Sequence, residues 1–113
     1  MFYVLIGSDG IEVRESKEML TLKEMQSLVG IKGKPAYIEV ASDRSFSDKS
    51  IVMIYDDEFL MKGCQPTCMT IEGHVVQGQV LVLGTNNEEN DFGLLTQQQV
   101  EIVKSQARLV CRK

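Results

Sequence analysis

A chain of 113 residues with a formal net charge of −4, 43% hydrophobic and 25% charged, has the balance of one globular domain and not that of a disordered protein. At this length one sheet and one or two helices can be buried, which excludes a deep multilayer enzyme cleft. The acidic balance argues against nonspecific nucleic-acid binding, which relies on basic patches that release counterions from phosphates.

Three cysteines without a secretory leader read as reduced thiols in a cytoplasm. The run Phe2 to Ile6 is too short for the apolar core of a leader and lacks a basic stretch before it. No apolar run approaches the roughly 20 residues of a membrane helix. The expectation is therefore a single α+β domain over residues 1–113, cytoplasmic and not bound to a membrane.

In chain order, Phe2 to Ile6 and Ile11 to Arg14 are two extended runs around Gly7-Ser8-Asp9-Gly10, the pattern of a hairpin. Ile11 and Val13 alternate with Glu12 and Arg14, so the second strand shows one face to water. A helix follows. Thr21 is its N-cap, Glu24 closes a capping box, and Leu20 and Met25 occupy the hydrophobic-staple positions. Leu22, Met25, Leu28 and Val29 form its apolar stripe, and Gly30 is expected to stop it in a left-handed conformation.

Ala36 to Ala41 and Ile51 to Tyr55 are strand-like. The Ser/Asp-rich segment Ser42 to Ser50 between them reads as a flexible loop. Gly63 and Pro66 interrupt any regular element between Phe59 and Thr70. His74 to Leu83 reads as one long strand, followed by a polar loop from Gly84 to Asp91. The last helix repeats the first one's entry, with Thr96 as N-cap, Gln99 closing the box, and Leu95 and Val100 as staple. Val100, Val103, Ala107 and Val110 form its stripe.

In the long strand Val76, Gly78, Val80 and Val82 share one face, expected to meet the helices. Val75, Gln77, Gln79, Leu81 and Leu83 share the other. Leucines on that second face make the strand either internal to the sheet or part of an oligomer surface. With Ile102 and Leu109, which lie off the main stripe of the last helix, Leu81 and Leu83 form a candidate self-association face. The expected architecture is a mostly antiparallel sheet with two helices packed on one face.

Between Met25 and Val103 the residues Leu28-Val29-Gly30, Tyr37-Ile38-Glu39-Val40, Asp57-Glu58, Leu60-Met61-Lys62-Gly63 and Pro66 follow one another in order. Gly78-Gln79-Val80-Leu81-Val82-Leu83-Gly84 and Asp91-Phe92-Gly93-Leu94-Leu95-Thr96 come next, running into Gln99-Val100-Glu101. Over this span the chain resembles a family of short proteins of unknown function encoded by phages, plasmids and related mobile elements. Members tend to carry Leu in place of Cys64 and Asn in place of Thr67. The resemblance implies a mobile-element accessory protein and no reaction.

Cys64, Cys68 and His74 are the residues with metal-ligand or nucleophile chemistry. A structural zinc site needs four ligands, and the fourth would be the distant Cys111. Buried packing thiols are the simpler reading, and no metal or cofactor is expected. A hydrolase or transferase using His74 with a cysteine, or the acidic turn Asp56-Asp57-Glu58, is the enzyme alternative. Glu88, Glu89 and Asp91 read as solvated, without the spacing of a calcium loop.

Lys62, Gly63, Thr67, Gly84, Thr85, Asn86, Asn87 and Asp91 are the candidate ligand-binding residues. Backbone amides and small polar side chains beside a strand end, near the helix N-termini at Thr21 and Thr96, suit a nucleotide-type ligand, although an ordinary β–α connection explains the same residues more simply. The leading expectation is a binding protein that blocks a host protein or sequesters a nucleotide-type signal used in host defence, and that self-associates. An assembly module is a further alternative.

Overall fold

The computed structural model describes residues 1–7, 10–30, 37–40, 45–57, 66–86 and 91–109. Two strands, β1 (Phe2–Gly7) and β2 (Gly10–Glu15), form the expected hairpin, with Val4 opposite Val13 and Gly7 opposite Gly10. Helix α1 (Leu22–Val29) follows, then β3 (Ile38–Val40), β4 (Ile51–Asp56), β5 (Pro66–Met69), β6 (Val75–Gln77), β7 (Val80–Asn86) and β8 (Asp91–Gly93). Helix α2 (Gln97–Gln106) and the short β9 (Arg108–Leu109) complete the described chain. The fold is α+β, and every strand pairing is antiparallel.

The main sheet is six-stranded, in the order β2-β1-β7-β4-β3, with β8 attached to β7. Gly84 of β7 pairs with Ile51 of β4 on one side and Gly93 of β8 on the other. Strand β8 thus takes the flank of β7 that β1 occupies nearer its start. A smaller sheet has the order β6-β5-β9.

Period-two alternation along β1, β4 and β7 sends side chains to both sides, and both sides are apolar. Val4, Ile6, Ile51, Met53, Val80 and Val82 meet Val100 and Val103 of α2 and Cys68 and Val76 of the small sheet. Leu5, Ile54, Leu81 and Leu83 meet Met25 and Val29 of α1. The two helices therefore lie on opposite faces of the main sheet, which corrects the expectation that both cover one face. A central strand with two apolar faces needs a cover on each, and one helix cannot supply both.

The same placement decides the fate of the candidate self-association face. Leu81 and Leu83 are fully buried beneath α1 and belong to the core, not to an open surface. Ile102 is half-buried against the α2 core. Leu109 has left the helix and pairs with Cys68 in the small sheet, exposed.

Both helix starts are as the sequence demands. Thr21 Oγ1 accepts from Glu24 N–H at 3.1 Å while Glu24 Oε1 accepts from Thr21 N–H at 2.8 Å, and Thr96 with Gln99 repeats the arrangement. The ends differ from expectation. Gly30 is extended (φ −72, ψ 166), because its N–H still donates to Gln26 O and the Gln79 side-chain amide donates to Leu28 O. With those carbonyls satisfied, no left-handed turn is needed. Leu22 is exposed and takes no part in the α1 stripe. Helix α2 stops at Gln106, with Ala107 as its cap.

Two further elements depart from the linear reading. The stretch His74 to Leu83 is two strands in two sheets, divided where Gly78 takes a φ of +78 that side chains rarely adopt. Within Ser42 to Ser50 the described part is anchored, not loose. Phe46 is wholly buried and Ser45 nearly so, and Ser45 Oγ accepts from Met53 N–H at 3.3 Å.

Candidate functional site

The predicted ligand-binding residues are only partly brought together. Gly84 to Asn86 are strand residues of a β7–β8 hairpin, not a loop, and Asn86 pairs with Asp91 through the backbone. Gly84 is buried between β4 and β8, and Thr85 N–H donates to Ser50 O at 2.7 Å. Thr67 belongs to β5 in the other sheet. Its hydroxyl lies 2.7 Å from Gly78 O and 3.0 Å from Val76 O, so its one proton is spent on the backbone at the β6–β7 junction. Lys62, Gly63 and Asn87 lie outside the described residues.

Cys68 is fully buried, with Sγ 4.0 Å from Met53 Sδ. Burial pushes its thiol up to about 11, against a weaker opposing hydrogen bond with Thr67, so the sulfur stays protonated and is a poor nucleophile at neutral pH. His74 instead sits exposed at the tip of the β5–β6 hairpin. There Thr70 N–H donates to His74 O at 2.9 Å and His74 N–H to Thr70 Oγ1 at 3.1 Å. Cys64 and Cys111 lie outside the described residues. Among the described residues no group of three His, Cys, Asp or Glu side chains is placed to hold a metal ion.

The acidic turn divides. Asp56 ends β4 in a buried position, whereas Asp57 is exposed and its N–H donates to Tyr37 O at 2.7 Å. Asp57 faces Glu39 on the neighbouring edge strand. Its hydrogen bond, and then its charge, hold the Glu39 carboxyl above the usual range, with Tyr55 acting in the opposite sense. Glu58 lies outside the described residues.

A concavity of about 400 Å³ lies at the start of α1, lined by Ser16 to Thr21 and Glu24. The helix N-terminus there would ordinarily attract an anion. Glu24 already places its own carboxylate on the Thr21 N–H, so an incoming phosphate would meet negative charge.

The open edge of the main sheet was not singled out by the sequence reading. Strand β2 is the outermost strand on its side, and among the described residues no strand pairs with its far edge. Arg14 Nε donates to Glu12 Oε2 at 2.7 Å, and both side chains are largely exposed. That hydrogen bond holds the Glu12 carboxyl below its usual range and the Arg14 guanidinium above its own, with Tyr3 across the ladder adding to the latter. The signal for this edge was present in the Glu12-Val13-Arg14 alternation, but which side of a hairpin stays unpaired depends on where the later strands go.

A mainly antiparallel sheet, with one helix on one face and a helix plus a small sheet on the other, defines a compact three-layer α+β domain. No helix among the described residues is long and apolar enough to cross a membrane. The chain belongs to the family described as Domain of unknown function (DUF3846), which it matches over residues 2–108 and so across nearly all of the fold. Neither the curated proteins nor the solved structures contain a match.

Proposed function

We propose that this chain is an accessory protein of a phage, plasmid or related mobile element and that it acts by occupancy, binding a host protein and blocking it. One observation carries the reading. Among the described residues, three groups that could grip a small ligand or run a reaction are committed inside the fold: the Thr67 hydroxyl to backbone carbonyls, the Thr85 N–H to Ser50 O, and the Cys68 thiol to the core. What faces outward instead is the outer strand β3 at the other end of the main sheet from β2, with the exposed apolar side chains Val40 in it and Tyr37 beside it, and Leu22 of α1. Surfaces of that kind suit protein recognition through backbone pairing and aromatic anchors. The resemblance to mobile-element proteins supplies the biological setting, and interference with host defence is the activity most consistent with it.

The test uses the pure chain. Incubation with a broad nucleotide panel is expected to leave no absorbance at about 260 nm beyond that of its own side chains, and no product. Cys64→Ala with His74→Ala is expected to keep the full biological effect in a host carrying the relevant defence. Turnover above background by pure protein overturns the reading. Stoichiometric uptake of a nucleotide overturns it in favour of sequestration.

A further inference from the structure

The outer edge of β2 is hydrogen-bonding surface with a defined phase. Met1 N donates to Ser16 O at 3.0 Å and Ser16 N–H donates to Met1 O at 2.8 Å, so residues 1 and 16 form a mutually hydrogen-bonded pair. Antiparallel ladders alternate such pairs with non-hydrogen-bonded ones. Through the observed register the hydrogen-bonded pairs are then Tyr3 with Arg14, Leu5 with Glu12 and Gly7 with Gly10. The backbone N–H and C=O groups of Ile11, Val13 and Glu15 therefore point away from β1, off the sheet.

Edge strands left this way pair with other chains unless something prevents it, such as a proline, a bulge, a covering segment or charged side chains that repel those of the incoming strand. The charges here do the reverse. Glu12 and Arg14 flank Val13 symmetrically on one face of the strand, with opposite signs. Set against a second β2 in antiparallel sense about a two-fold axis at Val13, Glu12 of each copy faces Arg14 of the other. Val13 faces Val13, and Ile11 faces Glu15. The parity agrees as well. Val13 with Val13 and Ile11 with Glu15 are the pairs whose backbone groups point outward and can bond. Glu12 with Arg14 then falls on the non-hydrogen-bonded pairs, where side chains come closest.

We infer that the β2 edge is a dimerisation edge, joining the main sheets of two copies antiparallel about Val13, with Glu12 and Arg14 of the two chains forming a closed quartet of alternating charge. The occupant is a second copy and not a foreign strand, because the same residues supply both halves of the complementarity. An isologous two-fold contact requires that self-matching. The assignment stands whether or not the chain blocks a host protein, since it rests on backbone phase and charge alone. It also replaces the buried Leu81 and Leu83 as the place where copies meet.

Sedimentation and light scattering of the full chain from about 1 µM to about 1 mM are expected to show a monomer–dimer equilibrium that weakens as salt is raised. Glu12→Arg, which sets four arginines together, and Arg14→Glu, which sets four glutamates together, are each expected to weaken dimerisation by at least about tenfold. An equimolar mixture of the two variants is expected to recover it as a mixed dimer, since the arginine pair of the first variant then faces the glutamate pair of the second. The doubly swapped E12R/R14E chain is expected to dimerise with itself. In the unsubstituted chain, exchange of the Val13 and Ile11 amide hydrogens is expected to slow as concentration rises. A monomer at every concentration overturns the inference, as do single variants that associate like the parent, a mixture that stays monomeric, or amides at Ile11 and Val13 whose exchange ignores concentration.

Discussion

Gln106, at the last turn of α2, holds Ser47 at two points. Its Oε1 accepts the Ser47 N–H at 2.9 Å and its Nε2 donates to Ser47 Oγ at 2.6 Å. Near the start of the same helix, Gln99 uses its oxygen to cap the helix and its nitrogen to reach Ser50 Oγ at 3.0 Å. Ser50 in turn donates to Asp48 and, through its carbonyl, accepts from Thr85. Two glutamines thus staple residues 47–50 to the helix and keep Phe46 in the core.

Removing the first staple tests this. Gln106→Ala is expected to lower stability by about 1–2 kcal/mol, the net worth of two partly solvated hydrogen bonds. The Ser47 amide should exchange faster in hydrogen-exchange mass spectrometry. Gln99→Glu separates the two roles of the second staple, because a carboxylate still caps Thr96 but cannot donate to Ser50 and adds a charge near Asp48. The expected result is loss of the Ser50 contact with the helix start intact, visible in amide exchange at residues 50 and 97–99.

The junction between the two sheets is the second place where one residue matters. Gly78→Ala forces a side chain into a positive φ and is expected to cost about 1–3 kcal/mol. Thr67→Val removes the hydroxyl that serves the Gly78 and Val76 carbonyls and is expected to cost a similar amount, about 1–3 kcal/mol, by leaving a buried acceptor unmet. Because both act on one junction, the double variant should lose less than the sum in chemical denaturation.

Cys68 gives a prediction with a sign. Its folded value of about 11 lies above the ordinary 9.0, so the folded chain keeps a proton that the unfolded chain gives up between those values. Stability from this group is therefore complete below pH 9 and is lost as pH rises toward 11, by about 2–3 kcal/mol in all. Denaturation midpoints measured across that window should fall, and Cys68→Ala should flatten the fall. Near neutral pH the native thiol should resist iodoacetamide until the chain is unfolded.

Leu83→Ala distinguishes a core leucine from an interface one. Burial under α1 predicts a loss of about 2–5 kcal/mol in monomer stability. An interface role would leave the monomer's denaturation midpoint nearly unchanged and shift only the association constant.

Local chemistry was legible in the sequence and layer assignment was not. The capping boxes at Thr21 and Thr96, the first hairpin, and β3 and β4 could be read because each depends on residues a few positions apart. The two apolar faces of Val80 to Leu83 were visible too, but a face records only that it is covered, not by what. Whether a helix or a second copy covers Leu81 depends on α1, which lies far earlier in the chain. Gly78 looked like one glycine in a strand, because its positive φ follows from Thr67 and the second sheet. Ser45 and Phe46 were hidden by the polar residues around them. Of the candidate ligand-binding residues, Thr67 gives its hydroxyl to backbone carbonyls and Gly84 is paired between Ile51 and Gly93, which only the assembled sheets reveal.

The middle of the main sheet is supplied by β7, a strand that lies in the last third of the sequence. Until residues 80–86 have left the ribosome, no strand lies between the β1–β2 hairpin and the β3–β4 pair, and the inner margins of β1 and β4 stay open. Assembly must therefore wait for a long-range insertion instead of growing outward from the N-terminus. Between the completion of β4 and the arrival of β7 the chain holds two half-sheets with no strand between them, the stage at which it has most need of a chaperone.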